Sequence, residues 1–179
     1  EIECAIGIEQ LSKLDDLVKS RQILAERLTE GLKGLKGLRT PFVSPDMTHA
    51  YYVYGMVLNL DELGVGRDSI HAALLAEGVT VTKRYQNIHL LPIYQKKIAY
   101  GSKGFPWTSE VCQRDVSYEK GICPVAEELS DSTYLGFGMC VYDLTELDID
   151  LIVMAFQKVW DNLDGLKTSS SSRLGDNVD

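Results

Sequence analysis

Residues 50–60, Ala50-Tyr-Tyr-Val-Tyr-Gly-Met-Val-Leu-Asn-Leu60, decide the fold class of this chain. Tyrosine, valine and other β-prone residues crowd the segment, which predicts a strand there. Its three tyrosines read either as a ligand-stacking surface or as a half-buried strand with phenols at the solvent edge. Downstream, residues 67–76 space Ile70, Ala73 and Leu74 along one face of a short helix that Gly78 closes. His71 on that helix reads as an exposed or half-buried surface residue. Val79-Thr-Val-Thr-Lys83 then alternates with the period of two that marks a strand. Strand, helix and strand in that order are the signature of an α/β or α+β domain.

Upstream, residues 2–35 place apolar side chains at helical spacing. Ile2, Ala5, Ile6, Leu11, Leu14, Leu17 and Val18 form a stripe, which Leu24, Ala25, Leu28 and Leu32 continue. More than thirty residues is long for a globular helix, so the segment is expected to break or to bridge two regions. Gly31, Gly34 and Gly37 supply its stop signal. Beyond the central elements, Pro124 opens a short helix over 124–130. Residues 133–141 follow as a strand in which Gly136 and Gly138 permit a bulge or a close backbone approach. Thr145-Glu-Leu-Asp148 resembles a capping box, and the helix it opens carries Ile149, Ile152, Val153, Phe156, Val159 and Trp160 on one face. Residues 164–179 are polar and serine-rich, and are expected to form a flexible tail.

Hydrophobic residues make up 45% of the 179, enough for one ordinary core. Lys and Arg number 18 against 26 Asp and Glu, a net charge of -8. No basic patch is visible, which argues against nucleic acid and against an anionic membrane surface as partners. No apolar run has transmembrane length. Cys4, Cys112, Cys123 and Cys140 are scattered and lack zinc-site spacing. They read as reduced thiols of a cytoplasmic protein, with disulfides in a secreted protein as the alternative. The chain opens at Glu1 without a methionine and with helical periodicity already running. It is therefore expected to be a fragment whose N-terminal part is missing.

The functional groups concentrate in residues 84–95, Arg84-Tyr-Gln-Asn-Ile-His-Leu-Leu-Pro-Ile-Tyr-Gln95. A guanidinium, two phenols, an imidazole and carboxamides within so short a span suit a polar small-molecule pocket. Residues 96–122 read as an extended insertion, with Phe105-Pro106-Trp107 as its hydrophobic anchor or as part of a substrate lid. No Gly-x-Ser-x-Gly and no phosphate loop is present, and His49, His71 and His89 have no obvious partners in sequence. Glu127 and Glu128 stand side by side on a helix and face different ways. Glu127 thus reads as a solvated or capping residue rather than half of an acid/base pair. These residue types offer a binding surface and no complete catalytic set.

Six segments, in order, carry a family pattern. Glu1-Ile-Glu-Cys-Ala-Ile-Gly-Ile-Glu-Gln-Leu-Ser-Lys-Leu-Asp15 resembles the opening of the last part of the DegT/DnrJ/EryC1/StrS aminotransferases, pyridoxal-phosphate enzymes of fold type I. Ser20-Arg21 and Ala25-Glu-Arg-Leu28 are similar to the continuation of the same helix. His49-Ala-Tyr-Tyr-Val-Tyr54 resembles the family's first small-domain strand, and Arg67, Leu74 and Gly78-Val79 its helix-to-strand segment. His89-Leu-Leu-Pro-Ile-Tyr94 is similar to its His-Leu-x-Pro-x-Tyr motif, and Cys123-Pro-Val-Ala-Glu127 to its Pro-x-Ala-Glu helix start.

The resemblance implies an α/β, α+β-like architecture. A long N-terminal linking helix joins a small, mostly antiparallel sheet with helices on one face. Residues 1–163 are then the C-terminal small domain, followed by the tail. The implied activity moves an amino group from glutamate or glutamine to a keto-sugar, often nucleotide-linked, or to a keto-cyclitol. A related dehydratase and a non-catalytic interaction module are the alternatives. Pyridoxal phosphate and the lysine that binds it are expected upstream of Glu1, and Lys83, Lys96 and Lys97 are not taken as substitutes. Catalytic and cofactor-binding residues are therefore expected to be absent from the chain. His89 is the first substrate-contact candidate, with a loop-orienting structural histidine as the alternative. Arg84, Tyr85, Asn87 and Tyr94 follow by proximity, and an arginine there can pair with a substrate phosphate or a donor carboxylate. The insertion with Phe105-Pro-Trp107 resembles members acting on cyclitol-like substrates without a nucleotide. The family also implies a homodimer with sites at the subunit interface.

Overall fold

The β-prone run becomes a strand only over Tyr54–Leu58 in the computed structural model, which describes residues 1–112 and 114–172. Just before it, Tyr51 takes a φ of 48°, a left-handed backbone that ends extended pairing. Its amide donates to His49 Nδ1 at 2.8 Å. In chain order the elements are α1 (Ile2–Leu11), α2 (Leu14–Leu32), β1 (Leu38–Arg39), β2 (Tyr54–Leu58), α3 (Leu60–Leu63) and α4 (Arg67–Ala76). They continue with β3 (Val81–Thr82), α5 (Pro92–Gln95), α6 (Pro124–Glu128), β4 (Tyr134–Phe137), α7 (Glu146–Asp161) and α8 (Leu163–Ser172).

The four strands form one sheet in the order β1-β2-β4-β3, antiparallel at every junction. Two antiparallel steps make β2 and β3 parallel, with β4 inserted between them. The strand–helix–strand unit read from the sequence is thus a split βαβ, its crossover supplied by α3 and α4. Tyr54, Met56 and Leu58 alternate into the core as a period of two requires. They meet Leu135 and Phe137 of β4, Leu28 and Leu32 of α2, Ile70 and Leu74 of α4, and Phe156 of α7. The phenols are not at a solvent edge. Tyr54 is fully buried with its Oη 2.7 Å from Thr29 Oγ1, Tyr51 is buried, and Tyr52 alone of the three is exposed.

Helices α2 and α7 pack closely because Gly31 lies inside α2 against the Val153 side chain. Gly31 is therefore a packing glycine, whereas Gly34 and Gly37 take positive φ beyond the helix end. Arg27 spans the same pair on the surface, bidentate to Asp150 and 2.9 Å from Glu146. The capping box on α7 forms with Asp in the usual Glu place: Asp148 N donates to Thr145 Oγ1, and Thr145 N donates to Asp148 Oδ2 at 2.8 Å. The long first helix breaks at Ser12 and Lys13, one of the two outcomes expected of it, and α1 buries none of its residues, with Ile2 79% and Leu11 68% exposed. Residues 163–172 form α8, with Leu163 and Leu166 packed on the core, where a flexible tail was expected from 164. The remainder of that expected tail, 173–179, lies outside the described residues. Among the described residues no helix is long and apolar enough to cross a membrane.

One buried cation joins the two halves of the sheet's far end. Arg67 opens α4 and is 6% exposed. Its Nη1 donates to Lys83 O at 2.7 Å and to Ser130 O at 2.8 Å, and its Nη2 donates to Asp131 O at 2.7 Å. Residues Leu129–Thr133 continue α6 as a π-helical turn, so these carbonyls are the unpaired C-terminal groups that favour a cation. Removing the guanidinium leaves buried carbonyls without donors. Urea unfolding of Arg67→Met is expected to show a loss of about 3 kcal/mol. Arg67→Lys should recover little of it, because one ammonium cannot reach both segments.

Burial pushes the Tyr54 phenol up to about 12, against an ordinary value of 10.0. The folded state therefore keeps a proton that the unfolded chain releases first. The stability this supplies is complete below about pH 10 and lost as pH climbs through about 12. Unfolding measured between those limits is expected to fall less steeply with pH in Tyr54→Phe than in the natural sequence.

Candidate functional site

Beyond β3 the chain leaves the sheet and folds back over its edge. Leu91, preceding Pro92, is extended (φ -64°, ψ 144°), as a residue before proline prefers. Pro92 then starts α5, its fixed φ suited to the first turn. A 3₁₀ turn over Ile88–Leu90 precedes it and carries His89. Gln95 Nε2 fixes this turn by donating to His89 O at 2.8 Å and also to Tyr118 O. The result is one wall of a cleft of about 600 Å³.

Residues of α6 and its π-helical extension form the opposite wall, with Ala126, Leu129 and Ser130 lining it. Tyr118, from the insertion, and Tyr134, from β4, complete the lining. Tyr134 lies along the strand because two glycines face each other beside it, Gly55 and Gly136 in register. A Cβ on Gly136 would stand 2.5 Å from Tyr134 Oη and 2.7 Å from Thr82 Oγ1. The gap left by these glycines is thus filled by a phenol ring, which Tyr85 meets edge to face at 6.5 Å. Burial pushes the Tyr134 phenol above its ordinary value, and Tyr85 adds to the effect.

The insertion is tied to α5 by rings. Trp107 and Tyr118 both pack on Tyr94, at 6.2 and 5.2 Å, and Trp107 Nε1 donates to Tyr118 Oη at 3.0 Å. Trp107 therefore serves as the anchor that its position suggested. It also places Tyr118 at the cleft.

A buried carboxylate–imidazole hydrogen bond joins the two walls. His89 Nε2 lies 2.8 Å from Glu127 Oε1, and the side chains are 10% and 7% exposed. The carboxylate also accepts from Gly121 N at 2.8 Å and from Cys123 N at 3.3 Å. The Gly121 amide, with smaller help from His89 and Cys123, holds the Glu127 carboxyl below the usual carboxylate range despite its burial. Glu127 is therefore an ionised, internally satisfied group. It caps the Cys123 amide, as a capping residue would, but it is not solvated.

Of the residues singled out beforehand, Tyr85, Asn87, His89 and Tyr94 come together on this cleft, and Arg84 does not line it. Arg84 is exposed, and its charge helps to lower the Asp131 carboxyl, after the larger effect of Lys120. Glu127, Tyr118, Tyr134 and Arg67 escaped sequence reasoning as parts of this region. The facing glycines were a usable signal for Tyr134; nothing local pairs Glu127 with His89, 38 positions away.

Chemically the cleft can bind and orient a ligand. No lysine lines it. Lys83 is paired with Asp68 at 3.1 Å, Lys97 with Asp115 at 3.1 Å and Lys120 with Asp131 at 2.6 Å. The lining therefore does not fit a cofactor held as a lysine Schiff base. Among the described residues no His, Cys, Asp or Glu group could hold a metal ion.

Comparison with known proteins gives a consistent result. The family model "DegT/DnrJ/EryC1/StrS aminotransferase family" matches residues 1–131. The spore coat polysaccharide biosynthesis protein SpsC of Bacillus subtilis is 31% identical over 118 residues, 65% of this chain and 30% of that protein. A putative L-glutamine:3-amino-2,3-dideoxy-scyllo-inosose aminotransferase of Micromonospora echinospora is 27% identical over 173 residues, 94% of this chain and 40% of that protein. A DegT DnrJ EryC1 StrS aminotransferase structure from Brucella abortus superposes with a TM-score of 0.59 at 26% identity, covering 84% of this chain and 33% of that one. A putative sugar aminotransferase of Streptococcus pneumoniae in its PMP form shares the fold, with a TM-score of 0.62 at 17% identity over 90% of this chain and 35% of that one. The chain spans about a third of the length of the relatives it matches. With a family match over residues 1–131, well more than half of the chain, the chain belongs to the DegT/DnrJ/EryC1/StrS aminotransferase family.

Proposed function

We propose that this chain is the C-terminal small domain of a pyridoxal-phosphate-dependent aminotransferase, and that its cleft receives the ring of a keto-cyclitol or keto-sugar. The observation that carries this reading is the lining itself. Phenols, Asn87 and the His89 imidazole surround a largely apolar volume, and neither Lys nor Arg lines it. A neutral ring bearing many hydroxyls suits such walls. Its C–H faces lie on aromatic rings, while its hydroxyls meet phenols, an amide and an imidazole. A nucleotide's two phosphates would find no cation in the lining. The keto-cyclitol is therefore the preferred ring, a choice also supported by the length of the match to the Micromonospora echinospora relative.

Pyridoxal phosphate, when bound, carries the amino group taken from glutamate or glutamine. We assign its lysine and its phosphate contacts to a large domain upstream of this chain, since the residues here do not fit that role. The residues of this chain bind and orient the acceptor ring and exclude water from one side of it. A homodimer working in the cytoplasm completes the proposal.

A full-length protein supplied with pyridoxal phosphate and L-glutamine is expected to aminate scyllo-inosose in preference to a nucleotide-diphosphate keto-sugar. Amination of the nucleotide-linked sugar alone would overturn the cyclitol choice. No amination of either, with no lysine adduct trapped by borohydride, would sink the aminotransferase reading. Gly136→Ala tests the cleft separately. Its Cβ displaces the Tyr134 ring, and the KM for scyllo-inosose is expected to rise several-fold while kcat changes less.

A further inference from the structure

Glu127 has no role in the binding scheme above, yet it is among the most buried charged residues of the chain. Only Arg67, Glu127 and Ser130 are buried polar residues among those described. A carboxylate offers about four lone-pair positions. Here Gly121 N reaches both oxygens, and Cys123 N and His89 Nε2 reach Oε1. Three donors thus hold the carboxylate, its side chain is 7% exposed, and it does not line the cleft. Glu127 therefore acts through the groups it holds.

The group of interest is His89. An ionised carboxylate only accepts, so the Nε2 facing it carries a proton. In the neutral imidazole this leaves Nδ1 with a lone pair. Among the described residues no group hydrogen-bonds Nδ1, and the ring lines the cleft. The two remaining Glu127 contacts, to Gly121 and Cys123, lie where the insertion returns to α6. The same carboxylate thus sets the tautomer of His89 and fixes the insertion's end beside it. Carboxylates that fix imidazole tautomers in this way commonly govern what the other nitrogen can do.

We propose that Glu127 is a positioning residue that holds His89 as the Nε2-protonated tautomer, so that Nδ1 accepts a hydrogen bond from a hydroxyl of the bound ring. This rests on the reading of the cleft as a ring-binding site. It adds a specificity element: the ring must present a hydroxyl donor at His89, and a deoxy position there forfeits the bond.

Three measurements on the full-length, cofactor-loaded protein test it, with scyllo-inosose as the probe. Long-range proton–nitrogen spectra of 15N-histidine-labelled protein read the tautomer, the His89 signal being assigned by its loss in His89→Ala. The natural sequence is expected to show Nε2-protonated His89, and Glu127→Gln to lose that signature. Glu127→Gln is expected to raise KM about tenfold, the worth of one hydrogen bond, with a smaller change in kcat. In a His89→Ala background the same substitution should add nothing. A Glu127→Gln protein with unchanged tautomer and KM overturns the proposal, as does a Glu127→Gln penalty that persists without His89. If Glu127→Gln fails to fold, His89→Asn and His89→Gln decide. Asn keeps a polar atom near the Nδ1 position and Gln one near Nε2, so Asn should retain the lower KM; the reverse order overturns the proposal. Should His89→Ala leave KM unchanged, the cleft reading falls and this inference falls with it. A raised KM in His89→Ala with none in Glu127→Gln removes this inference alone.

Discussion

The guanidinium of Arg67 is the constraint on which the far end of this domain depends. It is a cation whose terminal nitrogens donate to main-chain carbonyls, from the exit of β3 on one side and from the π-helical turn on the other. Those two segments are more than forty residues apart, and each adjoins one of the paired strands β3 and β4. Desolvating a charge is costly unless its donors are used, and here the terminal nitrogens are used while Nε is left without a partner. Such a group tolerates few alternative arrangements. Its geometry sets the distance between the segment that carries His89 and the segment that carries Glu127. The cleft is the space left between them.

A second contact works within that frame. Arg67 fixes the roots of the two walls, and the His89–Glu127 bond fixes their facing side chains. The insertion adds its own tie through Trp107 and Tyr118. Three kinds of interaction thus converge on one region: carbonyl–cation, carboxylate–imidazole and ring–ring. None of them requires a bound ligand. The cleft walls are accordingly pre-organised, which lowers the ordering cost of receiving a ring.

Legibility in the sequence followed locality. The strand–helix–strand order was readable because Val79-Thr-Val-Thr and the helical spacing of Ile70 and Leu74 are short-range periodicities; the insertion of β4 between the two strands was not. The capping box on α7 was readable for the same reason, since its partners are three positions apart. Tyr54 was misread because β-propensity describes a strand without saying which face meets α2; its hydroxyl found Thr29 inside the core. Gly31 looked like a stop signal, but its role depends on Val153, more than a hundred residues away. The apolar stripe on α1 predicted burial that the described residues do not provide, because amphipathicity tells that a face wants a partner and not where the partner is. In the cleft, four residues of the 84–95 stretch were visible as a cluster of functional groups, and Arg84, next to them in sequence, points its charge elsewhere.

The division of chemistry in the cleft follows from where its charges are kept. Several cations around it are already committed, Arg67 to carbonyls, Lys120 to Asp131 and Lys83 to Asp68, and none lines it. The Glu127 carboxylate is committed to amides and to His89. What faces the interior is therefore neutral and directional, a set of phenols, an amide and an imidazole nitrogen. Neutral donors and acceptors discriminate between ligands by geometry, since an unmatched buried partner costs more than a matched one gains. On the proposed reading, a wall of this kind selects the pattern of hydroxyls on a ring. Charge holds the walls in place, and the surfaces so held present neutral, directional groups.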